Sequence, residues 1–176
     1  MQDEHIGNFK KLFAEHKLLA AGPLRDPTEF RRGIVVLQVP SAEAVRQCFN
    51  ADPYVQAGVM HLEVYRWNTH AHGIDIKHVD PNLIAENRIL LLSAGDNVGT
   101  GKWPRVARKL QGREHGTLEG AGQFREVRLY PGTQAESRLK AALDRDTAVK
   151  SGKVSYQLMP LWLAKGTLGE ARNAKQ

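Results

Sequence analysis

Ile6, Phe9, Leu12 and Phe13 recur at the three- and four-residue spacing of one helix face, with Lys10, Lys11 and Glu15 turned outward. The chain therefore opens on an amphipathic helix. Leu18-Leu19-Ala20-Ala21-Gly22-Pro23 reads as a short strand ended by a turn. Leu24 to Arg32 is polar and loop-like. Gly33 to Val39 is a continuous β-branched run, which predicts a buried strand. Pro40-Ser41 opens a second helix with Ser41 as its N-cap and Val45, Cys48 and Phe49 on its apolar face. That helix is expected to stop at Asp52-Pro53, because a residue before proline avoids the α region. Met60, Leu62 and Val64 alternate with His61, Glu63 and Tyr65, which predicts a half-buried strand through Trp67. Asn68 to Glu86 reads as a linker, with a short strand at Ile74-Asp75-Ile76.

The second half repeats the plan. Arg88 to Ser93 is a strand, and Gly95 to Gly101 a glycine-bearing loop. A helix follows with Pro104 in its first turn and Trp103, Val106 and Leu110 as its stripe. Strands are predicted at His115 to Ala121 and Phe124 to Tyr130. Thr133-Gln134-Ala135-Glu136 is a capping box before a helix bearing Leu139, Ala142 and Leu143. Val154 to Trp162 is the last strand.

The halves align as an internal repeat. Leu18 to Gly22 falls over Leu118 to Gly122, Asp52 over Asp146, Val55 over Val149, and Gly58 over Gly152. The first unit begins directly at its helix, whereas the second has Arg88 to Ser93 ahead of its own. An incomplete sheet leaves a costly unpaired edge, so either the first unit borrows a strand or one lies upstream of residue 1, and the second is the expectation. The units are placed at residues 1–80 and 88–176.

A length of 176 residues with 41% hydrophobic content suffices for one large or two small domains. The acidic start, Met1 to His5, lacks the features of a secretory signal. Runs such as Ile89 to Leu92 are too short to span a bilayer, so no membrane association is expected. A lone cysteine, Cys48, cannot make an internal disulfide, and a cytoplasmic location is expected. Charge is uneven. Residues 1–87 hold nine Lys/Arg against eleven Asp/Glu, and residues 88–176 hold sixteen against eight. The basic residues are scattered without interleaved aromatics, so nucleic acid is not the expected partner.

A more specific pattern runs through the first unit. His5-Ile6-Gly7-Asn8-Phe9 opens the helix, and Leu18 to Pro23 follows. Gly33 then precedes a strand, Ser41-Ala42-Glu43-Ala44 starts a helix, and Ala51-Asp52-Pro53-Tyr54-Val55-Gln56-Ala57-Gly58-Val59 closes the pattern. Residues 5–67 resemble the YCII-related (YciI-like) family. The resemblance implies an α+β, ferredoxin-like fold of the dimeric α/β-barrel type, duplicated in tandem here, with the first copy lacking its initial strand. It also implies self-association, or a pseudo-dimer within one chain. Some members act as lyase- or isomerase-like enzymes on small ring compounds through a His–Asp pair. By resemblance that pair is His5 and Asp52, with Gly22, Pro23 and Tyr54 as substrate-binding candidates. The second unit departs from the pattern: Thr147 and Ala148 replace Pro53 and Tyr54, Gln123 replaces Pro23, and Arg105 falls near the position of His5.

Read from the residues alone, His5 lies at a helix N-terminus, where the dipole favours a neutral imidazole, as a general base requires. Asp52 is read at a helix C-terminus, where a carboxylate wants a cationic or hydrogen-bonding partner. The competing reading is a turn aspartate and a solvated histidine, in a non-catalytic interaction or regulatory module. Asp96 to Trp103 fails the phosphate-loop pattern at its first glycine and its Ser/Thr. His70-Ala71-His72 lacks a third ligand in clear spacing. No metal or cofactor is expected, and a small-molecule ligand is.

Overall fold

The computed structural model of the protein describes residues 1–69, 74, 76–95, 114–132 and 136–168. Helix α1 (Gln2–Ala14) is followed by β1 (Leu18–Pro23) and β2 (Gly33–Leu37), then by helices α2 (Ala42–Phe49) and α3 (Pro53–Gln56). After these come β3 (Tyr65–Thr69), β4 (Asp80–Ala94), β5 (Glu114–Gly120) and β6 (Phe124–Pro131). Helices α4 (Glu136–Leu143) and α5 (Thr147–Lys150) lead into β7 (Val154–Lys165). The architecture is mixed α+β with antiparallel sheets: β1 pairs with β2, and the larger sheet runs β3-β5-β6-β4-β7.

Strand β4 organises the larger sheet because it is apolar on both faces. Ile89 and Leu91 point into a core shared with Val127, Leu129, Met159, Leu161 and Leu163. Leu90 and Leu92 point the other way, against Leu139 and Leu143 of α4 and Ala148 of α5. A strand covered on both sides needs a continuous rather than alternating apolar run, as Ile89 to Leu92 supplies. The first half builds a parallel arrangement. Leu12 of α1, Leu18 of β1 and Phe49 of α2 form a separate cluster, while Ala20 and Leu24 join the shared core, with Ile34 and Val36 of β2 packed on it.

The two sheets meet along β1 and β7. Leu24 bridges Leu161 in antiparallel fashion, and the Arg25 N–H donates to the Pro160 carbonyl at 3.1 Å. Gly22 makes this approach feasible: a Cβ there would overlap the Trp162 carbonyl oxygen. Tyr65 and Trp67 of β3 also pack on the shared core. The backbone order is therefore β2-β1, then β7-β4-β6-β5-β3, around one apolar interior.

Several expectations change. The alternating segment from Met60 becomes a strand only at Tyr65, because the Val59 and Met60 amides both donate to the Tyr54 carbonyl and are committed to the turn after α3. The linker shortens at both ends. Strand β3 runs to Thr69, and β4 begins at Asp80, where β7 extends far enough to pair Lys165 with it. Strand β2 is not fully buried: Val35 is 37% exposed. Its apolar run suggested two covered faces, but it sits at the end of its sheet. The Ile74–Ile76 strand, the helix containing Pro104, the Asp96–Trp103 loop, the His70–His72 pair and the Thr133 capping box fall wholly or partly outside the described residues.

Candidate active site

His5 sits in the first turn of α1, and Asp52 precedes α3. Asp52 is the N-cap of α3, not the end of α2: α2 ends at Phe49, and the Asp52 side chain accepts the Tyr54 N–H at 3.1 Å. The carboxylate thus occupies the favourable end of a helix, reversing the sequence expectation. Pro53 at the first helical position explains the error. It stops α2 and starts α3 in the same step.

The two side chains meet. His5 Nδ1 lies 2.7 Å from Asp52 Oδ2, with Asp52 fully buried and the His5 side chain 11% exposed. Oδ1 accepts a backbone N–H, so the carboxylate acts as acceptor through both oxygens and Nδ1–H is the donor toward Oδ2. That choice of tautomer leaves the Nε2 lone pair open, and Nε2 is not among the buried polar atoms lacking a partner. The imidazole is wedged between the edges of Phe9 (centroids 4.6 Å apart) and Tyr54 (5.1 Å). Asn8 fastens the helices by donating its Nδ2–H to the Cys48 carbonyl at 3.1 Å. Cys48 itself packs beside the Leu12–Leu18–Phe49 cluster.

Tyr54 adds a second link to α1. Its hydroxyl donates to Gln2 Oε1 at 2.9 Å. Gln2, one helical turn before His5, also forms part of the wall of a cavity of about 450 Å³. Pro23, Leu24 and the loop residues Arg25, Asp26, Arg31 and Arg32 complete much of that wall. Of the candidate residues, Pro23 lines this cavity, Tyr54 braces its border, and Gly22 serves the β1–β7 contact instead. His5 and Asp52 are not part of the cavity wall.

The loop between β1 and β2 is a part of the site that the sequence reading missed. Burial raises the Asp26 carboxyl, but the N–H groups of Arg31 and Thr28 and the Thr28 hydroxyl outweigh it, leaving Asp26 below the usual carboxylate value. Arg31 reaches across to Gln157 Oε1 at 3.3 Å and Glu63 at 3.7 Å, with its guanidinium 4.7 Å from the Phe124 ring centre. The Asp26-Pro27-Thr28 turn signature was available to find this loop. The Arg31 contacts were not, since they join residues far apart in sequence. Of the polar face His61, Glu63 and Tyr65, the last two meet at 2.5 Å. Burial, then that hydrogen bond, push the Tyr65 hydroxyl up to about 12. His61 is exposed.

Among the described residues no group of three His, Cys, Asp or Glu is placed to hold a metal ion, and no helix is long and apolar enough to cross a membrane. The YCII-related domain model matches residues 1–68. An uncharacterized protein of Haemophilus influenzae is 35% identical over 66 residues, covering 34% of this chain and 67% of that relative. No solved structure matches. Through its first 68 residues, the chain belongs to the YCII-related family.

Proposed function

We propose that the protein binds a small molecule beside α1 and moves a proton on it, with His5 as general base and Asp52 as the group that orients the imidazole. The observation that carries this is the buried Nδ1–Oδ2 contact of 2.7 Å, which holds the imidazole through one nitrogen. A histidine fixed at one nitrogen and open at the other is equipped to take a proton from carbon or oxygen and return it. The cavity that Gln2 lines, one helical turn from His5, is about 450 Å³ and has room for a small ring compound. A lyase or isomerase reaction fits, because both need one base and a bound, oriented substrate.

The fold reading is a tandem of ferredoxin-like units forming a pseudo-dimer. Strands β4, β5, β6 and β7 lie in the order β5-β6-β4-β7, so the second strand of that unit pairs with the third, and the first lies between the third and the fourth. In the first unit β1, β2 and β3 take the second, third and fourth places. The last strand of each unit then reaches the second strand of the other, β3 to β5 and β7 to β1. This reciprocal exchange supports the duplication.

The experiment is proton exchange in deuterated water, followed by proton NMR, on a panel of small lactones and cyclic ketones. Catalysed exchange should occur with the intact protein. It should fall by roughly two to four orders of magnitude in His5→Ala, the usual worth of a positioned base. Exchange that is absent, or unchanged in a folded His5→Ala protein, would sink the reading. It would favour a non-catalytic scaffold, in which Asp52 serves only as the cap of α3.

A further inference from the structure

The cavity that Gln2 lines is walled largely by charged side chains, and their partners decide what it can hold. Arg31 and Arg32 are already engaged. Arg31 lies 3.7 Å from Glu63 and 3.3 Å from Gln157 Oε1, and Arg32 lies 3.7 Å from Glu29. The Asp26 carboxylate is turned into its own loop, where the Thr28 N–H, the Thr28 hydroxyl and the Arg31 N–H all donate to it. Arg25 differs. Its side chain has no ion pair or hydrogen bond among the described residues, yet it belongs to the same wall. Its backbone is held from both sides: Leu24 bridges Leu161, the Arg25 N–H donates to the Pro160 carbonyl, and Asp26 is buried. Gln2 is oriented as well. Its Oε1 accepts the Tyr54 hydroxyl, and its Nε2 has no hydrogen-bond partner among the described residues.

We propose that this cavity takes a small ring compound bearing one carboxylate, with the carboxylate on Arg25 and the Gln2 amide and the ring against Pro23 and Leu24. A guanidinium fork receives a carboxylate through two parallel N–H···O bonds. A donor whose backbone is fixed in advance loses little freedom on binding. The charge balance selects a monoanion. Arg25 is the one cation in the wall without a partner, and Asp26 and Glu29 stand in the same wall. A phosphate dianion would therefore keep one charge unmatched beside two carboxylates, and like charges at such range repel. A neutral ring compound would leave Arg25 unused. Such a ligand is the substrate class of the small-molecule reading above, on which this inference rests for its site. His5 need not act as a base for the ligand to bind.

The test uses the whole chain, labelled with nitrogen-15, and three probes: benzoate, its neutral counterpart benzamide, and phenyl phosphate. Benzoate should shift the amide signals of Arg25, Asp26 and Arg31. It should bind at least about tenfold more tightly than benzamide, the usual worth of a hydrogen bond to a charged group. Arg25→Gln should remove that preference. The variant should fold, because the Arg25 backbone, not its side chain, makes the contact with β7. Arg32→Gln loses only an exposed ion pair and should change benzoate affinity by less than about fivefold. Four outcomes would overturn the proposal. One is no shift in these amides at about 5 mM benzoate, a generous ceiling for a fragment of this size. The second is equal binding of benzoate and benzamide. The third is a loss in Arg32→Gln as large as that in Arg25→Gln, which would mean general surface charge. The fourth is tighter binding of phenyl phosphate than of benzoate. The proton-exchange assay fails separately: benzoate bound without catalysed exchange removes His5 as base and leaves this site standing, and exchange without benzoate binding does the reverse.

Discussion

Two turns in this molecule are built alike to within a few tenths of an ångström and differ in how deeply the capping aspartate is buried. Asp52 and Asp146 each N-cap a four-residue helix, their Oδ1 atoms accepting the N–H two residues on at 3.1 and 2.9 Å. Each helix ends in a glycine of positive φ, Gly58 at +68° and Gly152 at +67°. The following amides, Val59 and Lys153, return to the carbonyls of Tyr54 and Ala148, both at 3.0 Å. Yet Asp52 is fully buried with its second oxygen on His5, while Asp146 is only half-buried. The turn needs one carboxylate oxygen. In the first region the second oxygen, fully buried, is spent on an imidazole.

Neutralising each aspartate should expose that difference as the largest effect. Asp146→Asn keeps an N-cap acceptor and should cost less than about 1 kcal/mol. Asp52→Asn also keeps a cap, but sets an amide N–H group against the His5 Nδ1–H in a fully buried position, and losing a buried hydrogen bond to a charged group costs roughly 1.5–3 kcal/mol. Urea unfolding of the two variants checks this. Equal losses would mean that the His5 contact adds nothing to stability.

The sequence reached this site unevenly, and the reason lies in the Asp-Pro dipeptide. Asp26, Asp52 and Asp80 all precede proline, and in all three Oδ1 accepts the N–H two residues on. Such a turn is legible from composition. What distinguishes Asp52 is a neighbour 47 residues away, which no local pattern reveals. The family pattern, which links His5 to Asp52, supplied it. Element types were legible where local pattern decides: the α1 helix, although Ile6 and Phe13 of its stripe lie exposed, the Ser41 cap and the Ile89 to Leu92 run. They failed where tertiary pairing decides. Met60 to Val64 alternates like a strand but spends its first amide on a turn, and Asp80 to Asn87 looks like a linker but becomes a strand because β7 is long enough to pair with it.

The matched glycines sharpen the comparison from the other side. Both sit in the left-handed region with open space where a Cβ would stand at Gly58. Gly58→Ala and Gly152→Ala should each incur roughly 1 kcal/mol of backbone strain. Thermal unfolding should therefore give near-equal shifts. A much larger loss at Gly58 would show that the first turn is strained in a way the second is not.

The smallest effect concerns a third aspartate, and it is a matter of pH. Asp26 has the same Oδ1 contact as the other two, but its second oxygen accepts the Arg31 N–H at 2.9 Å rather than an imidazole. Hydrogen bonds to the charged form hold its carboxyl below the unfolded value, which is near 3.9 for an ordinary aspartate. A depressed folded value means that the unfolded chain takes up the proton first as pH falls. The stabilisation is thus complete above the unfolded value and is lost as pH drops through the folded one. Asp26→Asn should lower unfolding free energy by a constant amount above about pH 5, and the gap to the unsubstituted protein should close below about pH 4. Because the loop lies at the surface, this gap should be well under the loss from Asp52→Asn. A gap that widened on acidification would mean that Asp26 holds the loop better protonated than charged, which its three N–H and O–H donors forbid.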